Sequence, residues 1–282
     1  MATDSGTSKA PVQWHPISLL RDSRNRSIDG IDFTDKSEDG RKIRFALIIL
    51  KQPITNYLGI IRRLWNNAFT HIAADGGANC LWEAAGKHGD SSFDNLRGIV
   101  GDLDSLSAEA REYFVHQKLT GRATDIVHFP DQESTDFGKA INYVRDQYSG
   151  PVHIVAVGGL GGRVDQAISQ LHHLFSYQVD PNYSEGRLCL FTGEGLTFLL
   201  KAGSHEIHVR DGTEEVFDKW VGILPIKEPS RITTKGLEWD VTDWHTELGG
   251  LVSTSNHVLP ETKTVWIHTT KDVLFTIALK QF

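Results

Sequence analysis

The stretch Ile43-Arg44-Phe45-Ala46-Leu47-Ile48-Ile49-Leu50 contains the longest apolar run of the chain, Phe45 to Leu50. An apolar run without polar alternation is typical of a strand buried on both faces, as in a parallel sheet covered by helices. The run is far too short to cross a membrane. We therefore expect this stretch to be a buried strand of an α/β sheet.

Strand-like and helix-like segments alternate along the chain after this strand. We expect strands at 43–50, 70–74, 96–100, 126–129 and 152–157, and helices at 57–66, 79–85, from about 107, 135–147 and 164–175. This order predicts a mostly parallel sheet with helices on both faces. Ligands of such sheets bind beyond the carboxyl ends of the strands, so a site is expected there.

The chain changes character after about Tyr177, where short β-like runs are separated by turn residues. That pattern is typical of an antiparallel sandwich or barrel. The predicted fold is an α/β N-terminal domain with a mostly parallel sheet, followed by an all-β sandwich domain. We expect a partly flexible extension at residues 1–40, the α/β domain at 41–180 and the sandwich at 186–282.

The composition is that of an ordinary globular protein, with 39% hydrophobic and 23% charged residues among 282. The net charge of −7 argues against broad binding to nucleic acid or to an anionic membrane. Two cysteines do not suggest a disulfide framework. The N-terminal residues lack a basic segment followed by an apolar run, so no secretory signal is expected and a cytoplasmic location is predicted.

Two carboxylates, Asp102 and Asp104, follow the third predicted strand in the motif Gly101-Asp102-Leu103-Asp104-Ser105. Carboxylates at this spacing can both face one site, and such hard oxygen ligands suit Mg²⁺. Gly101 would allow close backbone approach. The alternative is an Asx turn that closes the strand, with Asp104 or Ser105 serving only as a helix cap.

A second acidic motif, Asp131-Gln132-Glu133-Ser134-Thr135-Asp136, follows the next strand, with Lys139 one helical turn beyond. Asp136 lies near a helix N-terminus, where a carboxylate can act as a plain capping group. More acid is concentrated here than capping requires. Bound metal ions would offset the repulsion, and without them some carboxylates would have raised pKa values.

Two glycine-rich turns join strands to helices. The first is Asp75-Gly76-Gly77-Ala78-Asn79, which suits a tight turn approached by a ligand, although Asp75 and Asn79 can also be merely structural. The second runs from Gly158 through Arg163 to Gln166. Backbone N–H groups of this turn could contact phosphate, and the planar guanidinium of Arg163 could bind it in a bidentate manner. The alternative for the second turn is a flexible hinge with Arg163 paired to Asp165.

The β-rich half contains Trp239 in Lys235-Gly236-Leu237-Glu238-Trp239-Asp240, and a polar run that ends Ser253-Thr254-Ser255-Asn256. These residues could form an aromatic plate with hydroxyl donors for a flat, cationic heterocycle, in which the aromatic face contributes about 1–2 kcal/mol. The alternative is a core tryptophan beside a polar strand edge.

Taken in order, these motifs (ADGGAN, GDLDS, DQESTDFGKA, GGLGGRVDQ, GLEWDVTD and STSN) closely resemble those of the eukaryotic, fungal-like thiamine pyrophosphokinases. The resemblance runs from about Ile43 to the C-terminus. It implies an ATP-binding catalytic α/β domain and a thiamine-binding β-sandwich. It also implies Mg²⁺ as cofactor, ATP and thiamine as substrates, and a homodimer whose sites are shared between subunits.

The resemblance also implies roles for individual residues. Catalytic roles fall to Asp102, Asp104, Asp131, Asp136 and Arg163, and metal binding to Asp102, Asp104 and Asp131. ATP binding falls to Asp75, Gly76, Gly77, Lys139, Gly159, Gly161, Gly162, Arg163 and Asp165. Thiamine binding falls to Gln132, Trp239, Ser253, Ser255 and Asn256, with Trp239 expected to face thiamine in the partner subunit's site.

One position departs from the family pattern: Lys51 stands in Ile49-Leu50-Lys51-Gln52-Pro53 where the family typically has asparagine. Two other functions compete with the kinase. A metal-dependent nucleotidyl or glycosyl transferase would explain the paired aspartates but not Trp239 and the Ser-Thr-Ser-Asn run. A thiamine or nucleotide sensor descended from the enzyme is suggested only by Lys51, and the retained acids and Arg163 argue against it.

Overall fold

A computed structural model describes residues 10–21, 44–88, 93–116, 123–212 and 215–280. These residues form two compact units, one of residues 18–199 with 279–280 and the other of residues 10–17 with 200–278. The first elements along the chain are a short strand, β1 (Val12–Trp14), and one helical turn, α1 (Ile17–Leu20). Most of the predicted extension, and the first residue of the predicted strand at 43–50, lie outside the described residues.

Strands and helices alternate in the unit of residues 18–199, as the sequence predicted. In chain order its elements are β2 (Arg44–Ile49), α2 (Leu58–Asn67), β3 (Thr70–Ala74), α3 (Gly77–His88), β4 (Gly98–Gly101), α4 (Ala108–His116), β5 (Asp125–His128), α5 (Asp136–Gln147), β6 (Val152–Val157), α6 (Val164–Ser176), β7 (Leu188–Phe191) and β8 (Gly195–Leu200). A 3-10 turn (Thr55–Tyr57) lies between β2 and α2. The predicted α/β architecture is confirmed.

The sheet of this unit has the strand order β8-β7-β6-β2-β3-β4-β5. All neighbouring strands are parallel except β7 and β8. The residues Phe45 to Ile49 of β2 are at most 5% exposed, which is why their sequence is apolar without alternation. The chain builds the sheet outward from β2 to β5 and then returns to the other side of β2 with β6. A crevice is expected at this reversal, beyond the ends of β2 and β6.

Residues 188–199 belong to the α/β unit, although the sequence assigned everything from 186 onward to the β domain. Ile154 of β6 lies opposite Leu188 of β7 in a parallel ladder, and β8 continues the sheet antiparallel to β7. Both ladders belong to the sheet that contains β2 to β6. The unit boundary therefore falls at residue 199 rather than 186. A short apolar strand does not reveal in its own sequence which sheet it joins.

The second unit is rich in β structure, as predicted. Its further strands are β9 (Gly203–His208), β10 (Phe217–Leu224), β11 (Ser230–Lys235), β12 (Trp244–Thr246), β13 (Ser253–His257), β14 (Thr264–Thr269) and β15 (Val273–Leu279). They pair in the orders β1-β9-β14-β11-β12 and β13-β10-β15. In β11, buried Ser230, Ile232 and Thr234 alternate with more exposed neighbours, as expected for a sheet with one buried face.

Strand β1 corrects part of the prediction for the N-terminal extension. It pairs in parallel with β9, so residues 12–14 are an edge strand of the β-rich unit. Trp14 is 3% exposed, and its indole Nε1 donates to His205 Nδ1 at 3.1 Å. This strand could not be predicted from its sequence because it is only three residues long.

Both cysteines are free thiols. Burial raises the pKa of Cys189 to about 12 and that of Cys80 to about 11, so neither is a thiolate at neutral pH. Within the described residues, none of the helices has the length and apolar composition needed to span a bilayer.

Candidate active site

A cavity of about 730 Å³ opens at the carboxyl edge of the parallel sheet. Its lining comes from the segments that follow β2, β3, β4, β5 and β6, together with α6: residues 50–53, 74–76, 102, 105, 134–137, 158–159, 162–163, 166 and 169–170. The cavity therefore lies where strand ends and the reversal of strand order predicted a ligand site.

Three carboxylates meet at this edge. Asp75 follows β3, Asp102 follows β4 and Asp136 opens α5, and each offers an oxygen within 4.8 Å of the other two. We call these three residues the acidic triad. Gly101 makes the approach possible, because a Cβ there would lie 2.7 Å from Asp75 Cβ and 2.8 Å from Asp136 Oδ1. This confirms the predicted reason for a glycine at this position.

Asp75 is the buried member of the triad, and one of its carboxylate oxygens has no hydrogen-bond donor among the described residues. Its carboxylate is 1% exposed; Oδ2 accepts from the Ser105 backbone N–H at 3.0 Å, while Oδ1 has no hydrogen-bond partner among the described residues. Burial raises the pKa of Asp75, and the charges of Asp136 and Asp102 raise it further. A buried carboxylate oxygen without a donor, facing two other carboxylates, fits a divalent cation bound through oxygen ligands.

The pKa of Asp102, unlike that of Asp75, is lowered. The backbone N–H of Asp104 lowers the pKa of Asp102 most, and Gln132 and Lys139 lower it further. Gln132 Nε2 donates to Asp102 Oδ2 at 3.0 Å. Gln132, predicted on the thiamine side, is therefore placed beside the acidic triad.

Lys139 is the cation of this group. Its side chain is 3% exposed, and Nζ lies 3.6 Å from Asp102 Oδ2 and 3.4 Å from Asp136 Oδ1. Three carboxylates and one ammonium leave a formal charge of −2, which a divalent cation would neutralise. Lys139 does not line the cavity, so it stabilises the acids from within the protein rather than from the solvent side.

Two predicted metal ligands are not brought into the triad. The carboxylate of exposed Asp104 accepts from the Ser105 hydroxyl at 3.0 Å. Asp131 accepts from the backbone N–H groups of Glu133 and Ser134 and from the Ser134 hydroxyl, which lower its pKa. Of the predicted set Asp102, Asp104 and Asp131, the structure groups only Asp102 with Asp75 and Asp136.

The backbone between the paired aspartates forms a turn. Leu103 has a left-handed φ of +64°. The Asp104 backbone N–H then donates to Asp102 Oδ1 at 3.2 Å, which is the Asx turn weighed from the sequence. The following helix is capped by neither Asp104 nor Ser105, because Ser107 Oγ accepts from Ala110 N at 3.1 Å.

The glycine-rich turn after β6 forms one wall of the cavity through Gly159 and Gly162. Gly161 contributes a carbonyl that accepts from Gln52 Nε2 at 2.6 Å. Across the cavity, Gly76 lines the wall while Gly77 begins α3. These positions agree with a phosphate-binding role but do not by themselves require one.

Arg163 forms the ion pair that the hinge alternative predicted. Its Nε and Nη2 donate to the two carboxylate oxygens of Asp165 at 3.1 and 2.5 Å, and both side chains are exposed. The pair raises the pKa of Arg163 and lowers that of Asp165. An exposed ion pair of this kind contributes little to stability, so a phosphate could replace Asp165 as the partner of the guanidinium.

Lys51 lies on the cavity wall, and its Nζ donates to Ser105 Oγ at 2.9 Å. Ser105 also bonds Asp75 and Asp104, so it links the end of β2 to both acidic segments. The sequence singled out Lys51 but missed Ser105 and Gln52. The strand-end rule could have found both, because each lies within a few residues of the end of a buried strand.

The predicted thiamine-side residues of the β-rich unit lie around one exposed tryptophan. Trp239 is 54% exposed, which excludes the core alternative. Asn256 is buried and holds the Trp239 backbone at both groups, with its Oδ1 accepting from Trp239 N at 3.2 Å and its Nδ2 donating to Trp239 O at 3.0 Å. Ser253 lies in the same strand, and Ser255 is exposed there with a φ of +55°.

His257 completes this surface. Its ring lies 4.9 Å from that of Trp239 and 4.3 Å from that of Trp220, which is 41% exposed. The His257 ring also contacts the Glu238 carboxylate. Two exposed indoles, those of Trp239 and Trp220, therefore lie on one strand-and-loop surface.

Comparisons with known proteins agree with this geometry. The model of the thiamin pyrophosphokinase catalytic domain matches residues 61–184, and that of the thiamin pyrophosphokinase vitamin B1 binding domain matches residues 204–274. Thiamine pyrophosphokinase 2 of Arabidopsis thaliana is 33% identical over 251 residues, which cover 84% of this chain and 87% of that protein. Thiamine pyrophosphokinase of Saccharomyces cerevisiae is 27% identical over 279 residues, covering 83% and 85%.

A solved structure shows the same fold. The crystal structure of yeast thiamin pyrophosphokinase superposes with a TM-score of 0.78 at 23% identity, covering 99% of this chain and 95% of that one. The two domain models match in the order in which the chain places its α/β and β-rich units. Since both domains and most of the length of named relatives are matched, the chain belongs to the thiamin pyrophosphokinase family.

Proposed function

We propose that this enzyme transfers the terminal pyrophosphoryl group of ATP to the hydroxyethyl arm of thiamine, giving thiamine diphosphate and AMP with Mg²⁺ as cofactor. The observation that carries the proposal is the acidic triad at the cavity, with its buried and unpaired Asp75 oxygen. Family membership supports thiamine as the acceptor. The donor, the leaving group and the metal are inferred from the chemistry of the cavity.

Asp75, Asp102 and Asp136 would hold the metal ion. Mg²⁺ is usually bound by one or two carboxylates together with substrate phosphates, and it supplies charge neutralisation along the phosphate chain. Lys139 orients Asp102 and Asp136 through its contacts at 3.6 and 3.4 Å. The roles first predicted for Asp104 and Asp131 become supporting ones: Asp104 binds Ser105, and Asp131 shapes the loop that carries Gln132.

Transfer requires the thiamine hydroxyl oxygen to attack the β-phosphorus, while the bond from that phosphorus to the α,β-bridging oxygen breaks and AMP leaves with the electron pair. Asp102, which lines the cavity, accepts the hydroxyl proton. Gly159 and Gly162 allow the phosphates to approach the backbone, and Arg163 turns from Asp165 to the phosphate chain. Positioning and electrostatics then provide most of the rate acceleration.

Thiamine carries a permanent thiazolium charge on a flat ring, which suits the exposed face of Trp239. Ser253 and Ser255 can donate to the pyrimidine, and Asn256 fixes the Trp239 loop. As the resemblance implies, we expect a homodimer in which Trp239 of one copy serves the site of the other. We expect no role in binding nucleic acid or membranes.

The test is product identity. Purified protein is incubated with ATP, thiamine and Mg²⁺, and nucleotides and thiamine phosphates are separated by chromatography. We expect equal amounts of AMP and thiamine diphosphate, and no product in EDTA. Formation of ADP with thiamine monophosphate, or thiamine binding without turnover, would contradict the proposal and favour a different kinase or the sensor alternative.

A further inference from the structure

Helix α6 contacts the first turn of α5, the helix that carries Asp136 and Lys139. Thr135 is the N-cap of α5, and its Oγ1 accepts from Gly138 N at 3.0 Å. His173, in the last turns of α6, places its ring Nε2 2.7 Å from the same oxygen. Thr135, the cap of the helix that carries Asp136, is thus hydrogen-bonded to His173, which does not line the cavity.

The hydrogen positions at this contact follow from the partners. His173 Nδ1 lies 2.5 Å from the Ser169 carbonyl oxygen, which can only accept, so Nδ1 carries the proton. In a neutral ring Nε2 is then an acceptor, and the Thr135 hydroxyl donates to it. The hydroxyl oxygen keeps a lone pair for Gly138 N. One arrangement satisfies all three groups, and burial lowers the pKa of His173, which favours the neutral ring.

Ring packing holds His173 in this orientation. Its ring centroid lies 4.9 Å from that of Phe137 and is stacked at 5.8 Å on that of Tyr177. The Tyr177 hydroxyl donates to Gly138 O at 3.2 Å, and a Cβ on Gly138 would lie only 3.1 Å from that hydroxyl. Glycine at 138 therefore lets α6 close against the first turn of α5.

We propose that His173 is a positioning residue, which fixes the Thr135 cap and thereby holds the Asp136 carboxylate in the acidic triad. Asp136 is the next residue after the cap, and its Oδ1 accepts from Asp102 N at 3.2 Å. A cap that is free to rotate would let the first turn of α5 fray, since the cap side chain satisfies the leading N–H of Gly138. The inference rests on the proposed function, because it assigns His173 to the metal-binding geometry of the same site.

The experiment measures Mn²⁺ binding to the full chain by electron paramagnetic resonance, without nucleotide, alongside thermal melting. His173→Phe keeps a ring for the stack but removes both nitrogens. We expect its Mn²⁺ dissociation constant to rise about 10-fold, the usual size of an effect on an outer-shell partner. The matched control is His172→Phe, the same change at the exposed neighbouring position, which should bind Mn²⁺ like the wild type.

A second pair of variants keeps the inference testable if His173→Phe does not fold. Thr135→Val removes the hydroxyl at nearly constant shape and should weaken Mn²⁺ binding by a similar factor, whereas Thr135→Ser should retain it. The double variant His173→Phe with Thr135→Val should be no weaker than either single variant, because both break the same link.

Two results would overturn the inference. If the variants melt at lower temperature but bind Mn²⁺ as the wild type does, His173 is only a packing residue. If Thr135→Val binds Mn²⁺ normally, the cap does not position Asp136. Failure of the wild type itself to bind Mn²⁺ is a separate outcome, and it would refute the metal assignment of the proposed function together with this inference.

Discussion

Replacement of Asp75 by asparagine should stabilise the metal-free protein and remove its stabilisation by metal. Asparagine keeps an acceptor for Ser105 N and tolerates the φ of +41° at this position, which an alanine would not. The new NH₂ group can donate to the neighbouring triad carboxylates from the position of the unpaired Oδ1. The substitution therefore removes the charge of Asp75 and keeps the hydrogen bond from the Ser105 backbone N–H.

The magnitude follows from the triad geometry. Two unit charges 4.8 Å apart repel by roughly 3.5 kcal/mol at an effective dielectric constant of about 20. Asp75 faces two such charges, and Lys139 offsets roughly one of them through its contacts with Asp102 and Asp136. After screening by salt, we expect the variant to gain about 1–3 kcal/mol in free energy of unfolding. For a unit of this size that corresponds to roughly 2–12 °C in melting temperature.

The assay is thermal melting of both proteins in EDTA and in saturating Mg²⁺. In EDTA the variant should melt higher, and in Mg²⁺ the wild type should gain stability that the variant does not. The pKa of Asp75 is raised in the folded state, so its contribution to stability is present at low pH and is lost as pH rises through that pKa. The advantage of the variant should therefore shrink as pH falls from about 8 toward about 4.

A lower melting temperature for Asp75→Asn in EDTA would refute the repulsion argument. Equal Mg²⁺ stabilisation of both proteins would refute the metal assignment. Asp146→Asn, an identical change at an exposed position of α5, is the control and should alter neither quantity.

Four further changes test the remaining assignments. Asp102→Asn should reduce kcat by at least about 10²-fold. Asp104→Asn, which removes a bond to the Ser105 hydroxyl, should reduce kcat by less than about 10-fold. Steady-state kinetics at saturating Mg-ATP separate the two variants. Arg163→Lys should be impaired by about 10²-fold because an ammonium cannot replace a bidentate fork, and unchanged ATP dependence would leave the glycine turn as a hinge. Lys51→Asn should raise the KM for ATP by about 10-fold with little change in kcat if the ammonium contacts phosphate, and an unchanged KM would confine Lys51 to its bond with Ser105. Trp239→Ala should weaken thiamine binding by about 5–30-fold without lowering the melting temperature, and mixing it with Asp102→Asn should restore activity only if sites are shared between subunits.

The α/β architecture could be predicted because buried parallel strands have a sequence signature. Phe45 to Ile49 are buried on both faces, and their apolar run shows it directly. The strand-end rule then located the cavity from sequence, since Asp75, Asp102 and Gly159 each follow a predicted strand. Ranges such as 186–199 were misassigned because strand partners depend on tertiary pairing, not on local composition.

Which acids meet at the cavity depends on backbone conformation, which spacing alone does not reveal. Spacing placed Asp102 and Asp104 at one site, but Leu103 between them has a left-handed backbone, and the structure groups Asp102 with Asp75 and Asp136. Asp136 could be predicted only as a cap or a catalytic acid, because its approach to Asp75 depends on the packing of α5 against β3 and β4 and on Gly101. Contacts between distant segments decide which acids meet.

The most direct test of the acidic triad is anomalous diffraction from crystals grown with Mn²⁺ and a non-hydrolysable ATP analogue. We expect one anomalous peak, bounded by carboxylate oxygens of Asp75, Asp102 and Asp136. A peak bound instead by Asp104 and Asp131, with Asp75 unliganded, would contradict it.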